Sequence, residues 1–214
     1  MKEILKLVFS LTFICALAGA SLAYVSRRTA EPIEHAKVQQ RNEKMSLLLP
    51  VEATTTTPLD TGDGTGVTVY GAYSQSGELL AYCAETADPS GFGGEVRVLV
   101  GLNLDGTIRG VLVSENSETP GIGSQVCERS VRGSFWDLFR KKQADPHADA
   151  RALVPNKYLD GYTGQKVSAT QPLQLKDAPG PGAIVPVSGA TVSSRAVLNA
   201  VNRVCMLWPF PEKK

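Results

Sequence analysis

The residues best equipped for chemistry lie in Val187-Ser188-Gly189-Ala190-Thr191-Val192-Ser193-Ser194, a run of small side chains leading straight into Arg195 to Met206. In that following stretch Val197, Val201 and Val204 or Cys205 recur at helical spacing. A helix opening in this way has backbone N–H groups without intrahelical acceptors and a partial positive charge, so it can hold a phosphate without a dedicated arginine. Gly189 and Ala190 permit close approach, while Ser188, Thr191 and Ser193 bring hydroxyls to the opening. The same residues also suit an ordinary turn in which Ser193 or Ser194 caps the helix. A threonine hydroxyl is a weak nucleophile without a neighbouring base, and no His or Cys adjoins Thr191. Self-modification at this oxygen is therefore not expected.

A second segment, Glu118-Thr119-Pro120-Gly121-Ile122-Gly123, has the composition of a rigid turn. Proline fixes φ at the first central position of a type II turn and glycine accepts positive φ at the second, so Pro120-Gly121 predicts a stiff backbone edge. Other chemistries find little support. His35 and His147 stand far apart without ligand spacing, which speaks against a zinc or histidine-based site. Ser188 has no GxSxG elbow around it and no histidine partner in view, which speaks against a serine hydrolase. There is no GxGxxG between a strand and a helix for a nicotinamide, and no cysteine cluster for an iron–sulfur centre. A formal net charge of +1, with no basic cluster interleaved with aromatics, makes nucleic acid a poor partner.

The elements that must position these residues can be read from the pattern of the chain. With 214 residues, 43% apolar and 20% charged, it can form one globular domain plus extensions. Leu7 to Val25 is almost wholly apolar or small and is long enough, as a helix, to span a bilayer core. Ala18-Gly19-Ala20 and Ser21-Leu22-Ala23 resemble signal-peptide cleavage sites, but the run exceeds a typical signal core, and Tyr24 with Arg27 and Arg28 marks an interfacial boundary. We therefore expect a membrane anchor over 1–28. A polar, helix-prone stalk and linker is expected over 29–66, with Ala53 to Pro58 and Gly62 to Gly66 as loop.

The globular domain is expected over 67–214. Val67 to Tyr73 and Leu79 to Glu85 form one hairpin candidate around Ser76-Gly77; Glu95 to Asn103 and Thr107 to Glu115 form another around Asp105-Gly106. Val96, Val98, Val100 and Leu102 share one face, as a half-buried antiparallel sheet requires, and Val111 and Val113 share a face of the partner strand. Ser130 to Lys142 and Ser193 to Met206 have helical spacing. Cys15 lies in the apolar run, which leaves Cys83, Cys127 and Cys205 as small buried side chains or as a source of one disulfide. The expected fold class is α+β, an N-terminal transmembrane helix followed by one mixed domain with antiparallel hairpins.

Ser188-Gly189-Ala190-Thr191 resembles the flavinylation motif of the FMN-binding domain family, in which the final threonine is esterified to the FMN phosphate. Glu118-Thr119-Pro120-Gly121-Ile122-Gly123 is similar to a loop of the G subunit of Rnf ion-translocating complexes and of its cousin, the C subunit of the sodium-translocating NADH:quinone reductase. Gly91-Phe92-Gly93-Gly94, Asp105-Gly106 and Tyr158-Leu159-Asp160-Gly161-Tyr162 also resemble family positions, and with the N-terminal helix the likeness covers nearly the whole chain. Asn116 and Val185 stand where the family often has His and Asp.

The resemblance implies covalent FMN on Thr191, with Ser188, Gly189, Ala190, Val192 and Ser193 around the phosphate. It further implies that Glu118, Thr119, Pro120, Gly121 and Gly123 offer backbone groups and Ile122 packing to the isoalloxazine ring. A flavin transferase would donate FMN from FAD and release AMP. The domain would stand on the extracytoplasmic (periplasmic) side of the inner membrane, relaying electrons for the other subunits of an Rnf-type complex that links ferredoxin and NAD to ion movement. The competing expectation is an extracytoplasmic scaffold or binding module that carries no flavin.

Overall fold

The computed structural model describes residues 2–59, 64, 66–129 and 153–210; the helix expected over Ser130 to Lys142, and His147, lie outside the described residues. The chain forms two compact units, 1–42 and 43–214. The first is a stretch of helix α1 (Lys2–Leu48), which continues into the second. It is long and apolar enough to cross a membrane, and its apolar side chains, Leu7, Phe9, Leu11 and Phe13 among them, are exposed.

The second unit is built on an antiparallel meander whose strand order follows the sequence: β1 (Ala53–Leu59), β2 (Val67–Ser74), β3 (Leu79–Asp88), β4 (Val96–Asn103) and β5 (Ile108–Glu115). Both expected hairpins are present, β2–β3 closing through Gly77 and β4–β5 through Gly106. β1 corrects the reading of Ala53 to Pro58 as loop. Its threonines are β-branched and suit a pleated surface, and Pro58 is tolerated because β1 is an edge strand that, among the described residues, pairs with β2 alone. The short helices α2 (Ser124–Cys127) and α3 (Lys157–Asp160), the two-residue parallel pair β6 (Gln174–Leu175) and β7 (Ala183–Ile184), and the long helix α4 (Thr191–Met206) complete the unit.

The sheet is covered on both faces rather than half-buried. Val96, Val98, Val100, Leu102, Val111 and Val113 join Ala196, Val197, Ala200, Val201 and Val204 of α4 in the main core. The opposite face buries Ala72, Ala81, Cys83, Leu99 and Leu112 under Met45, Leu48 and Leu49. Room for that second layer comes from Gly101 and Gly110, which pair across β4 and β5. A Cβ on Gly101 would lie 2.9 Å from the Leu48 Cβ, and one on Gly110 would lie 3.1 Å from its Cδ2.

The outer edge of β5 has its carbonyls occupied, which blocks pairing with another chain. Lys44 Nζ donates to Val113 O and Ser114 O, both at 3.0 Å, and the Arg129 guanidinium donates to Val111 O. Gly164 N and Gln165 O complete Ile108 at 2.8 and 2.9 Å. At the far end of α4, Arg203 donates to Ala87 O at 2.6 Å and to Asp88 Oδ2 at 3.1 Å, fixing the helix to the end of β3.

Candidate functional site

The opening of α4 is a tight turn followed directly by helix. Ala190 N donates to Val187 O at 3.0 Å, and Gly189 between them has φ +81°, a conformation that glycine adopts without strain. The N-cap residue is Ala190, which makes no side-chain cap, and the first helical bond runs from Ser194 N to Ala190 O at 2.9 Å. Neither Ser193 nor Ser194 caps the helix. Both are buried inside its first turn and act as tethers: Ser194 Oγ accepts from Val187 N at 3.2 Å, and Ser193 Oγ donates to Glu118 Oε2 at 2.8 Å. Ser188, Gly189, Thr191 and Val192 are all exposed to solvent, Val192 by 51%. The first turn has no acidic residue of its own, and the carboxylate that reaches it, that of Glu118, is taken up by the Ser193 hydroxyl.

The second segment folds against this opening. Ile122 N reaches Thr119 O at 3.4 Å across Pro120-Gly121, with Gly121 at φ +89°, which is the type II geometry the dipeptide predicts. Ser124 Oγ accepts from Gly121 N at 2.9 Å, and Gln125 Nε2 donates to Gly121 O. Asn116 Oδ1 accepts from Glu118 N at 3.2 Å, an Asx turn that sets the start of the loop. Thr119, Pro120, Gly121 and Ile122 face solvent, whereas Glu118 and Gly123 are buried.

The side chain of Glu118 links three segments. One oxygen accepts from Ser193 on α4 and the other from Phe92 N at 2.9 Å, in the glycine-rich loop before β4. A Cβ on Gly91 would come within 2.7 Å of Oε1, and one on Gly123 within 2.5 Å of Oε2. A Cβ on Gly93 would overlap the Ser117 carbonyl oxygen. These glycines are therefore required by close packing around Glu118. The composition of the loop suggests backbone contacts, whereas the role of the carboxylate becomes visible only in three dimensions.

Beneath the opening lie two buried phenols. Tyr158 OH donates to Ser194 O at 2.5 Å, so the 2.6 Å contact with Tyr162 OH is completed by the Tyr162 proton. Burial pushes both phenols well above the usual tyrosine range. Asn156 holds this floor in place. Its Oδ1 caps α3 by accepting from Tyr158 N and Leu159 N at 3.0 Å, and its Nδ2 donates to Gln125 O and Glu128 O. Cys127 and Cys205 are buried free thiols, each pushed up to about 12 chiefly by burial, and so stay protonated at neutral pH. Cys83 is buried on the opposite face of the sheet.

An uncapped helix start, an exposed hydroxyl beside it and two loops fastened to its first turn define a module that binds a phosphorylated cofactor. N–H groups at a helix start are the kind of donor that can hold a phosphate, and the side chains of Phe92, Ile122 and Val192 are apolar and exposed. Comparison with known proteins gives this class its name: residues 91–205 match the FMN-binding domain family, and the chain belongs to that family. The match contains both glycine loops, the phenol floor and nearly all of α4.

Similar proteins extend the match across the chain. The G subunit of an ion-translocating oxidoreductase complex from Methanosarcina acetivorans is 30% identical over 206 residues, covering 94% of this chain and 92% of that protein. The G subunit of a Na(+)-translocating ferredoxin:NAD(+) oxidoreductase complex from Acetobacterium woodii is 30% identical, covering 94% and 89%. The crystal structure of NqrC from Shewanella oneidensis aligns with 23% identity and a TM-score of 0.41, over 75% of this chain and 64% of that one.

Proposed function

We propose that this protein is the electron-relaying G subunit of a membrane-bound, ion-translocating oxidoreductase of the ferredoxin:NAD type, with FMN bound as a phosphoester to Thr191. The observation that carries the reading is the start of α4. Thr191 is the first helical residue, exposed, next to uncapped N–H groups, and two residues from a tether to the Glu118–Gly123 loop. The G-subunit relatives, similar over almost their full length, support the assignment to a complex. α1 supplies the single membrane pass, and the flavin domain lies on the periplasmic side.

No general base adjoins Thr191 in the sequence, so attachment is the work of a separate flavin transferase. The Thr191 oxygen takes the FMN phosphoryl from FAD, the pyrophosphate bond breaks, AMP leaves, and the hydroxyl proton is lost to the transferase's base. Bound FMN supplies one- and two-electron redox chemistry, whose potential depends on the hydrogen bonds and burial around the ring. Within the site, the N–H groups of the first turn would hold the phosphodiester, with Ser188 and Gly189 beside them. The exposed Thr119–Ile122 turn and the Ile122 side chain would face the ring. The covalent tether keeps the flavin at high effective concentration where free FMN would be lost by dilution.

The test is flavin fluorescence in a denaturing gel after co-expression with the transferase. Wild type and Thr191→Ser are expected to fluoresce, and Thr191→Ala to be dark. A dark wild type would return the chain to the reading of a scaffold without flavin.

A further inference from the structure

We infer that Glu118 is a positioning residue that holds the flavin-accepting turn of α4 in register with both glycine loops, and that its carboxylate is consumed inside the protein rather than offered to the cofactor. The inference rests on the proposed attachment at Thr191 for its functional meaning, but its geometry stands independently. Each carboxylate oxygen has a protein donor: Phe92 N–H at 2.9 Å and Ser193 Oγ–H at 2.8 Å. The side chain is buried, with 7% exposure, and close-packed against Gly91 and Gly123. Ser193 lies two residues after Thr191 in the same helical turn, so anchoring it anchors the backbone from which the Thr191 side chain and the adjacent N–H groups project.

A carboxylate suits this position because it accepts at both oxygens. Phe92 contributes a backbone N–H that can only donate, whereas the Ser193 hydroxyl can donate or accept. Glutamine would preserve the bridge: its carbonyl oxygen would take the Phe92 N–H, and its NH2 would donate to a Ser193 hydroxyl rotated to accept. Alanine would break both links and leave the half-buried Phe92 N–H and the buried Ser193 hydroxyl without this partner. A purely space-filling residue would not distinguish glutamine from an apolar side chain of similar size, such as methionine.

The experiment uses the full chain in detergent, first made without the transferase, and follows amide hydrogen exchange by peptide. In Glu118→Ala, exchange at Phe92 and Ser194 is expected to accelerate by about tenfold or more, as expected for losing both hydrogen bonds of the bridge, while amides of β4 stay protected. Glu118→Gln is expected to remain within about threefold of wild type, because both links survive. Glu118→Met should resemble alanine. If Glu118→Ala also opens the sheet, Ser193→Ala, which removes only the helix-side link, should accelerate exchange at Ser194 and leave β4 protected. Equal exchange at Phe92 and Ser194 in wild type and Glu118→Met, or equal exchange in the glutamine and methionine variants, would overturn the inference.

The same variants are then co-expressed with the transferase, and attached flavin per chain is expected to fall in the same order. A wild type without flavin that still shows the exchange ranking would remove the attachment reading and leave Glu118 as the residue that positions the turn. Undiminished flavin loading in Glu118→Met despite accelerated exchange would contradict the positioning role.

Discussion

The two faces of the sheet are buried by unlike means. One carries a continuous core between the alternating valines of β4 and β5 and the inner side of α4, the helix whose start is the proposed attachment turn. The other carries a smaller core that depends on Met45, Leu48 and Leu49 seated in the slot left by Gly101 and Gly110. The α4 face joins its loops to the helix through polar tethers, whereas the α1 face is held by shape, with Lys44 and Arg109 pinning its margin. Arg109 Nε donates to Leu48 O at 3.2 Å. Disturbing the first should alter flavin attachment, and disturbing the second should alter stability alone.

The largest effect is expected from Leu48→Ala, which empties the centre of the smaller core. It should cost about 2–5 kcal/mol in urea unfolding and leave the flavin content of the folded protein unchanged. Gly101→Ala approaches the same slot from the sheet, with a methyl group forced against the Leu48 backbone and Cβ, and should cost about 1–3 kcal/mol. If either variant lost flavin while remaining folded, the two faces would not be separable.

Tyr158→Phe addresses the other face. It removes the donor to Ser194 O and the acceptor for Tyr162, at a cost of about 1–2 kcal/mol. Unlike the first two changes, it should also lower flavin loading, because the carbonyl it releases belongs to the first turns of α4. The smallest effect is expected from Lys44→Met, which frees two carbonyls at the half-buried edge of β5 for about 1 kcal/mol and should not alter flavin loading. A clear loss of flavin in Lys44→Met would show that the edge of β5 communicates with the site.

The same contrast explains what could be read from the chain. The α4 face was legible because alternation in β4 and β5 and helical spacing after Ser193 are local periodicities. The Pro120-Gly121 turn was legible because each residue restricts its own φ. The α1 face was not, since its coherence depends on Gly101 and Gly110 being opposite each other and on a helical turn more than fifty residues earlier in the chain. β1 was missed because a threonine run ending in proline has loop composition, and only its place at the sheet edge makes Pro58 harmless.

In the site, the residue types were informative and their connections were not. Thr191, Gly189 and Gly121 advertise themselves by chemistry or backbone preference. Glu118 was assigned to its loop by resemblance, but the spans from Glu118 to Ser193 and to Phe92 have no trace in local pattern. Tyr158 and Tyr162 carry a helical spacing that suggests a pair, without indicating that Ser194 completes it. Asn156, which clamps α2 to α3, had no signal beyond its capping chemistry.

The central claim is tested most directly by mass analysis of the tryptic peptide 177–195 from protein co-expressed with the flavin transferase. A phosphoester at Thr191 predicts that this peptide gains the mass of one FMN less one water, and that fragmentation locates it on Thr191 rather than on Ser188, Ser193 or Ser194. An unmodified peptide, with flavin recovered in the supernatant after acid precipitation, would contradict it.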